Sequence, residues 1–277
     1  MSTRLKTTIK NKINITLPLM WVVIIGIVIS VYLIGGAVGA YAWNIAIFIA
    51  APIATIASII CSIVLIIRIA KKRKVRTLLL YEFTYTLLGL PILMLFGIIS
   101  IPYPTNHENN IIVCNNPIGK DAVMFGGKDY RTHAIWPSEC YAYDILVEPY
   151  DLESNSLEDY GIFGRNIYSP IAGTIIDVHD NEDDILPNSE KFSSLLGNYI
   201  FMKLDKTDSY LILAHLKKGS ICIGTGEKVK AGELIAKVGN SGTSSEPHLH
   251  IQHQKNNPVN MRFPTCAEGL PIGFSNK

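Results

Sequence analysis

The sequence predicts an N-terminal α-helical membrane region of three transmembrane helices (residues 1–101), followed by an all-β, mainly antiparallel sheet domain (residues 102–277). Three observations predict it. Three long apolar runs fill the first third of the chain. Charged residues are 17% of the whole, against roughly a quarter in soluble domains. From Pro102 onward, Gly, Pro, Asn and Asp punctuate short β-rich runs, the pattern of an all-β domain. The net charge of +2, with no basic patch interleaved with aromatics, excludes nucleic acid as a partner.

The apolar runs cover 17–39, 43–70 and 77–101. Each exceeds the ~20 residues that cross a bilayer. A cleaved signal peptide has a shorter apolar core and is not followed by two more spans. Arg4, Lys6, Lys10 and Lys12 precede the first run, and Lys71, Lys72, Arg73, Lys74 and Arg76 separate the second from the third. Basic loops stay cytoplasmic, so the N-terminus is expected inside and everything after residue 101 outside. Glu82 is one acid within a span. It stands about a turn and a half beyond the basic loop, and the reading is a snorkelling, interfacial role.

Candidate strands in the second part are 141–147, 173–178, 198–204, 210–215, 234–238 and 248–252. Residues 226–239, GEKVKAGELIAKVG, read as two short strands in a hairpin. Residues 102–128 are expected to wrap onto the domain as irregular structure and short strands. Asp180, Glu182, Asp183 and Asp184 lie in a stretch that lacks the spaced ligands and turn glycine of a calcium loop, and they read as a solvated insertion. Cys114, Cys140, Cys222 and Cys266 match no zinc-finger spacing, and their pairing stays open.

The strongest chemical signal is SGTSSEPHLHIQ, residues 241–252. Strand side chains alternate faces, so His248 and His250 project to one side while Leu249 and Ile251 enter a core. Two imidazoles on one face begin a zinc site. By the same parity His253 falls on the core face. His107 and His179, in an irregular segment and beside the acidic stretch, are read as bystanders.

Residues 210–242 add a strand ending at His215 and a Gly-rich stretch. Together these pieces resemble the LytM/lysostaphin-type zinc metallopeptidase family: Ala214-His215-Leu216, the Gly-rich hairpin and His248-Leu249-His250 match its ordered motifs. YSPIAGTIIDV (168–178) and Gly197-Asn198-Tyr199 resemble two of its upstream strands. The resemblance covers roughly residues 130–252 and implies the lysostaphin-like β fold of the duplicated hybrid motif type. It implies one Zn²⁺ held by His133, Asp144 and His250, with His215 and His248 catalytic. It departs from the family pattern in one place. Ten residues, AIWPSECYAY, separate His133 from Asp144, where the family has three. Pro137 and Ser138 are expected to turn an inserted hairpin that brings the pair together.

Such a centre keeps one coordination position open for water and activates it near neutral pH. No HExxH helix supplies a base, so His215 and His248 share proton transfer and oxyanion stabilisation, with the division between them open. The resemblance implies peptidoglycan or a similar cell-envelope peptide as substrate, a bacterial cell membrane location and the lipid bilayer as a second partner. Asn198 and residues 243–245 are assigned to the substrate groove. The competing reading is a catalytically inactive binding or activator module of the same fold.

Overall fold

The computed structural model describes residues 2–104, 111–128 and 130–275, with side chains from residue 15 onward. The chain forms two compact units, Met1–Pro104 and Thr105–Lys277.

In the first unit, α1 (Ser2–Ile29) runs into a π turn, and α2 (Gly36–Ile45) leads through a second π turn into α3 (Ala51–Ala70). Helix α4 (Arg76–Gly89) and the short α5 (Ile92–Leu95) follow. Three helical stretches are long and apolar enough to cross a membrane: Ile15–Ile34, Gly36–Ala70 and Arg76–Leu95. Their limits differ from the expected ones. The first break falls at Gly35 and Gly36, with φ of 66° and 55°, a conformation that costs glycine alone nothing; residues 40–42, expected to be the link, are helical. The third stretch stops at Leu95 rather than 101.

Glu82 does not snorkel toward the basic loop. Ser58 and Ser62 of α3 donate hydroxyl hydrogen bonds to its Oε1 at 2.7 and 2.9 Å. Its Oε2 is buried without a hydrogen-bond partner. The hydroxyls one turn apart on α3 solvate the acid within an otherwise apolar helix pair.

Among the described residues the second unit has twelve strands: β1 (Ile112–Asn115), β2 (Ala122–Gly126), β3 (Tyr143–Val147), β4 (Asn166–Tyr168), β5 (Gly173–His179), β6 (Asn198–Leu204), β7 (Tyr210–Leu216), β8 (Lys228–Val229), β9 (Leu234–Lys237), β10 (Leu249–Gln254), β11 (Gly269–Leu270) and β12 (Ile272–Ser275). The main sheet has the order β2-β3-β10-β7-β6-β5-β8, with β11 on β10, and its pairs are antiparallel. Strands β4 and β9 form an antiparallel pair and β1 and β12 a parallel one. The expected hairpin over 226–239 is not one: β8 pairs with β5 and β9 with β4. The turn between them sends each strand to a different sheet.

Alternation sorts the sheet. Ile145, Ile200, Met202, Leu211, Leu213, Leu249 and Ile251 form the core. The opposite face carries Asp144, Phe201, Ile212, Ala214, His250 and Gln252. Antiparallel register puts Asp144, His250 and Ala214 in one row across β3, β10 and β7. The acidic stretch is not simply solvated. Asp180 accepts from the backbone N–H of Ser220 and Ile221, Glu182 from Ser193 and Ser194, and Asp184 from Asn240 and Lys218. These carboxylates pin residues 180–197 beside the cleft, and Asp183 is left to an exposed pair with Lys218.

Candidate metal centre and catalytic cleft

Two neighbouring strands and one connection build the centre. Because β3 and β10 are antiparallel with His250 opposite Asp144, the His250 Nδ1 lies 3.1 Å from Asp144 Oδ1. His133 arrives from the link between β2 and β3. That link is a run of successive turns rather than the expected hairpin, with His133, Trp136, Glu139 and Ala142 donating in turn to Tyr130, His133, Trp136 and Glu139. The run closes where Gly127 N–H meets the Ala142 carbonyl at 2.9 Å. It sets His133 Nε2 3.2 Å from Asp144 Oδ2. The ten-residue separation is thus absorbed, and His133, Asp144 and His250 offer ligand atoms all within 4.8 Å of one another.

His215 reaches the cleft by breaking the alternation of its own strand. Leu211 and Leu213 are core residues, so regular β geometry would send residue 215 into the core as well. Instead His215 has φ 61°, and the β6–β7 register shifts between Asn198 and Ile200. Strain of this kind is held where function uses it. The twist turns the imidazole over the sheet, 4.6 Å ring to ring from His248. A Cβ at Gly197 would overlap Ser241, so the two backbones touch there and carry the distortion.

The ring orientations are fixed from behind. His215 Nδ1 lies 2.8 Å from the Ser241 carbonyl and His248 Nδ1 2.8 Å from that of Glu246. A carbonyl only accepts, so each Nδ1 carries a proton and each Nε2 faces the cleft. His248 Nε2 is 3.5 Å from Asp144 Oδ1. The cleft holds about 320 Å³, and Trp136, Glu139, Leu195, Thr243 and Ser245 are among its other lining residues.

Asn198, assigned to the groove from sequence, is not there. It is fully buried. Its amide accepts from Glu182 N–H and donates to the carbonyls of Glu182 and Leu216. Every polar atom is committed to the loop and strand that support His215. His179 stacks on Tyr199. His253 is buried on the core face, bonded to Ser209 and the Pro271 carbonyl. His107 lies outside the described residues. Cys61, Cys114, Cys140 and Cys222 form no disulfide, and burial pushes the Cys114 and Cys140 thiols up to about 12.

Comparison with known proteins bears on this cleft. Residues 159–261 match the model of Peptidase family M23. The chain carries an M23 peptidase domain. An uncharacterized metalloprotease of Buchnera aphidicola subsp. Baizongia pistaciae is 36% identical over 122 residues, 41% of this chain and 30% of that protein. Endolysin 2638A of Staphylococcus phage 2638A is 26% identical over 132 residues, 46% of this chain and 22% of that protein. The chain thus covers less than a third of the length of these relatives. Among solved structures, the catalytic domain of lysostaphin from Staphylococcus simulans is 19% identical, covering 59% of this chain and 95% of that one at a TM-score of 0.32. A zinc-containing peptidase from Vibrio cholerae is 21% identical, covering 51% and 36%, at a TM-score of 0.33.

The M23 match contains His215, His248 and His250 and begins after His133 and Asp144. Electrostatics binds the two groups together. Burial alone would raise the Asp144 pKa, but His248 and the hydrogen bonds of His133 and His250 hold it well below the carboxylate range. Burial opposes charge on His250 too, yet Asp144 raises it to about 9. His215 is pushed well below its ordinary value by burial and by the neighbouring His248 and His250. The cleft thus pairs a neutral imidazole, His215, with the charged carboxylate of Asp144. Sequence reasoning missed Gln252, whose Oε1 lies 3.0 Å from His250 Nε2. The parity that joined His248 to His250 would have reached it two residues on.

Proposed function

We propose that this chain is a membrane-anchored zinc metallo-endopeptidase that hydrolyses peptide bonds of peptidoglycan or a similar cell-envelope peptide. The convergence of His133, Asp144 and His250, whose ligand atoms all lie within 4.8 Å of one another, carries the reading. Two imidazole nitrogens and one carboxylate are the donor set of a catalytic zinc with a position left open. His133 Nε2 and His250 Nδ1 each face an Asp144 oxygen, so a cation between them would replace two hydrogen bonds with two ligand bonds and fits the site. His215, His248 and His250 also lie close enough to hold an ion. The set with Asp144 is preferred because it alone supplies an anionic ligand and leaves two imidazoles free to move protons.

When bound, zinc lowers the pKa of a water molecule and polarises the scissile carbonyl. The residues supply the rest. His215 and His248 both turn Nε2 to the cleft, where the base must be unprotonated and the oxyanion donor protonated. One accepts a proton from the attacking water and returns it to the leaving amine, and the other donates to the developing oxyanion. The depressed pKa of His215 keeps it neutral at physiological pH, which suits a base. Leu195 and Trp136 wall the cleft with apolar surface that excludes bulk water.

Three stretches apolar enough to span, with basic clusters at 4–12 and 71–76, support a cytoplasmic N-terminus and a catalytic domain outside a bacterial membrane. The test is digestion of purified cell-wall material by the full chain in detergent, followed by mass analysis of the fragments. Chelator-sensitive release of new peptide amines is expected. Release that chelation leaves unchanged, or none with zinc bound, would sink the proposal.

A further inference from the structure

Past the cleft, the polar side chains of β10 continue in one line. His250 Nε2 is 3.0 Å from Gln252 Oε1, Gln252 Nε2 is 3.0 Å from Gln254 Oε1, and Gln254 Nε2 is 2.6 Å from the Asn256 carbonyl. None of the three side chains belongs to a residue more than 5% exposed. Period-two alternation stacks them on one face, and burial forbids water as a substitute partner.

The direction of this chain follows from its far end. An amide can be flipped without changing its shape, so either glutamine alone is ambiguous. The Asn256 carbonyl removes the ambiguity, because it only accepts. Gln254 must turn its NH₂ toward it and its oxygen toward Gln252. Gln252 must then give its NH₂ to Gln254 and its oxygen to His250. His250 is left to donate from Nε2, which frees Nδ1, on the Asp144 side, to be the ligand atom.

We infer that Gln252 and Gln254 are positioning residues that set the tautomer and ring orientation of His250 for the metal, with the Asn256 carbonyl as their fixed reference. The inference rests on the zinc reading above. The two metal-side imidazoles differ in this respect. His133 Nδ1 is buried with no partner, so orientation of the ligand set depends on the His250 side. Partners of this kind typically carry ~10–100-fold in metal affinity.

The test measures zinc affinity of the full chain in detergent by competition with a chromophoric chelator. Q252A is expected to bind zinc ~10–100-fold more weakly, and Q254A to lose less. Q252E keeps an acceptor for the Nε2 proton and should recover most of the Q252A loss. In ¹⁵N-histidine spectra of the zinc-loaded protein, His250 should carry its proton on Nε2. Wild-type affinity in Q252A, or a proton on Nδ1, would overturn the inference. So would a Q252A protein whose metal-free form unfolds earlier while its zinc affinity is unchanged, since the glutamine would then serve packing alone. Failure of the unaltered chain to bind zinc would instead overturn the underlying reading.

Discussion

Each unit of this chain holds a half-buried carboxylate, Glu82 in one and Asp144 in the other, and the two are treated differently. In the helical unit Glu82 meets hydroxyls, from Ser58, Ser62 and, at 3.5 Å, Thr86, and its Oε2 has no partner. In the β unit Asp144 meets three imidazoles, His133, His248 and His250. Hydroxyls solvate an acid weakly and hold two helices together, with no group able to exchange a proton at neutral pH. Imidazoles can carry positive charge, yield it to a metal, and move protons near pH 7. The difference separates an acid that stitches a fold from one that organises chemistry.

The comparison breaks most readily at Asp144. D144A should abolish zinc binding and hydrolysis together, because it removes the one anionic ligand of the proposed set. Metal content of the purified variant and fragment release from cell-wall material check both. Next come the two imidazoles that the proposed function leaves off the ion. H215A and H248A should each lower turnover by ~10²–10⁴-fold while stoichiometric zinc remains. Metal loss in H215A would move that residue into the ligand set and favour the three-histidine arrangement.

These residues were unequally legible from sequence. The apolar helical stretches and the strands 198–204 and 210–215 follow from apolar runs and β-branched alternation, which are local signals. His248 and His250 follow from parity within one strand. Two features depend on contacts distant in the chain. His133 reaches Asp144 through a series of turns whose closure at Gly127 and Ala142 has no periodic signature. His215 faces the cleft through a left-handed backbone that alternation forbids, and only the resemblance to known motifs pointed to it. Asn198 went wrong for the converse reason: a polar residue at a strand start reads as accessible, whereas burial here commits it to the loop pinned by the acidic residues.

A smaller effect sharpens the role of the Asp144–His250 pair. In the metal-free chain Asp144 raises the His250 pKa to about 9, above its unfolded value near 6.5. The sign follows: the pair's stabilisation is fully present below about pH 6.5 and is lost as pH rises through about 9. Because the protonated ring cannot ligate, zinc binding must release that proton. Apparent zinc affinity should therefore climb by about tenfold per pH unit between 6.5 and 9, then level off. A flat profile in stepped-pH competition titrations would show that His250 is not the proton-bearing ligand.

The smallest effect is expected at Glu82. Interhelical hydrogen bonds within membrane proteins contribute on average ~0.6 kcal/mol, and E82A removes bonds to both Ser58 and Ser62. It also removes an oxygen that lacks a partner, which offsets part of the loss. The helical unit should therefore unfold in detergent only slightly earlier, by ~1 kcal/mol or less, and E82Q should be closer still to the unaltered chain. Neither change should move zinc affinity, since the proposed ligand set, His133, Asp144 and His250, draws on neither α3 nor α4. If E82A left zinc binding intact yet stopped hydrolysis in membranes, the acid of the helical unit would be part of the function, and the division between a stitching and an organising carboxylate would fail.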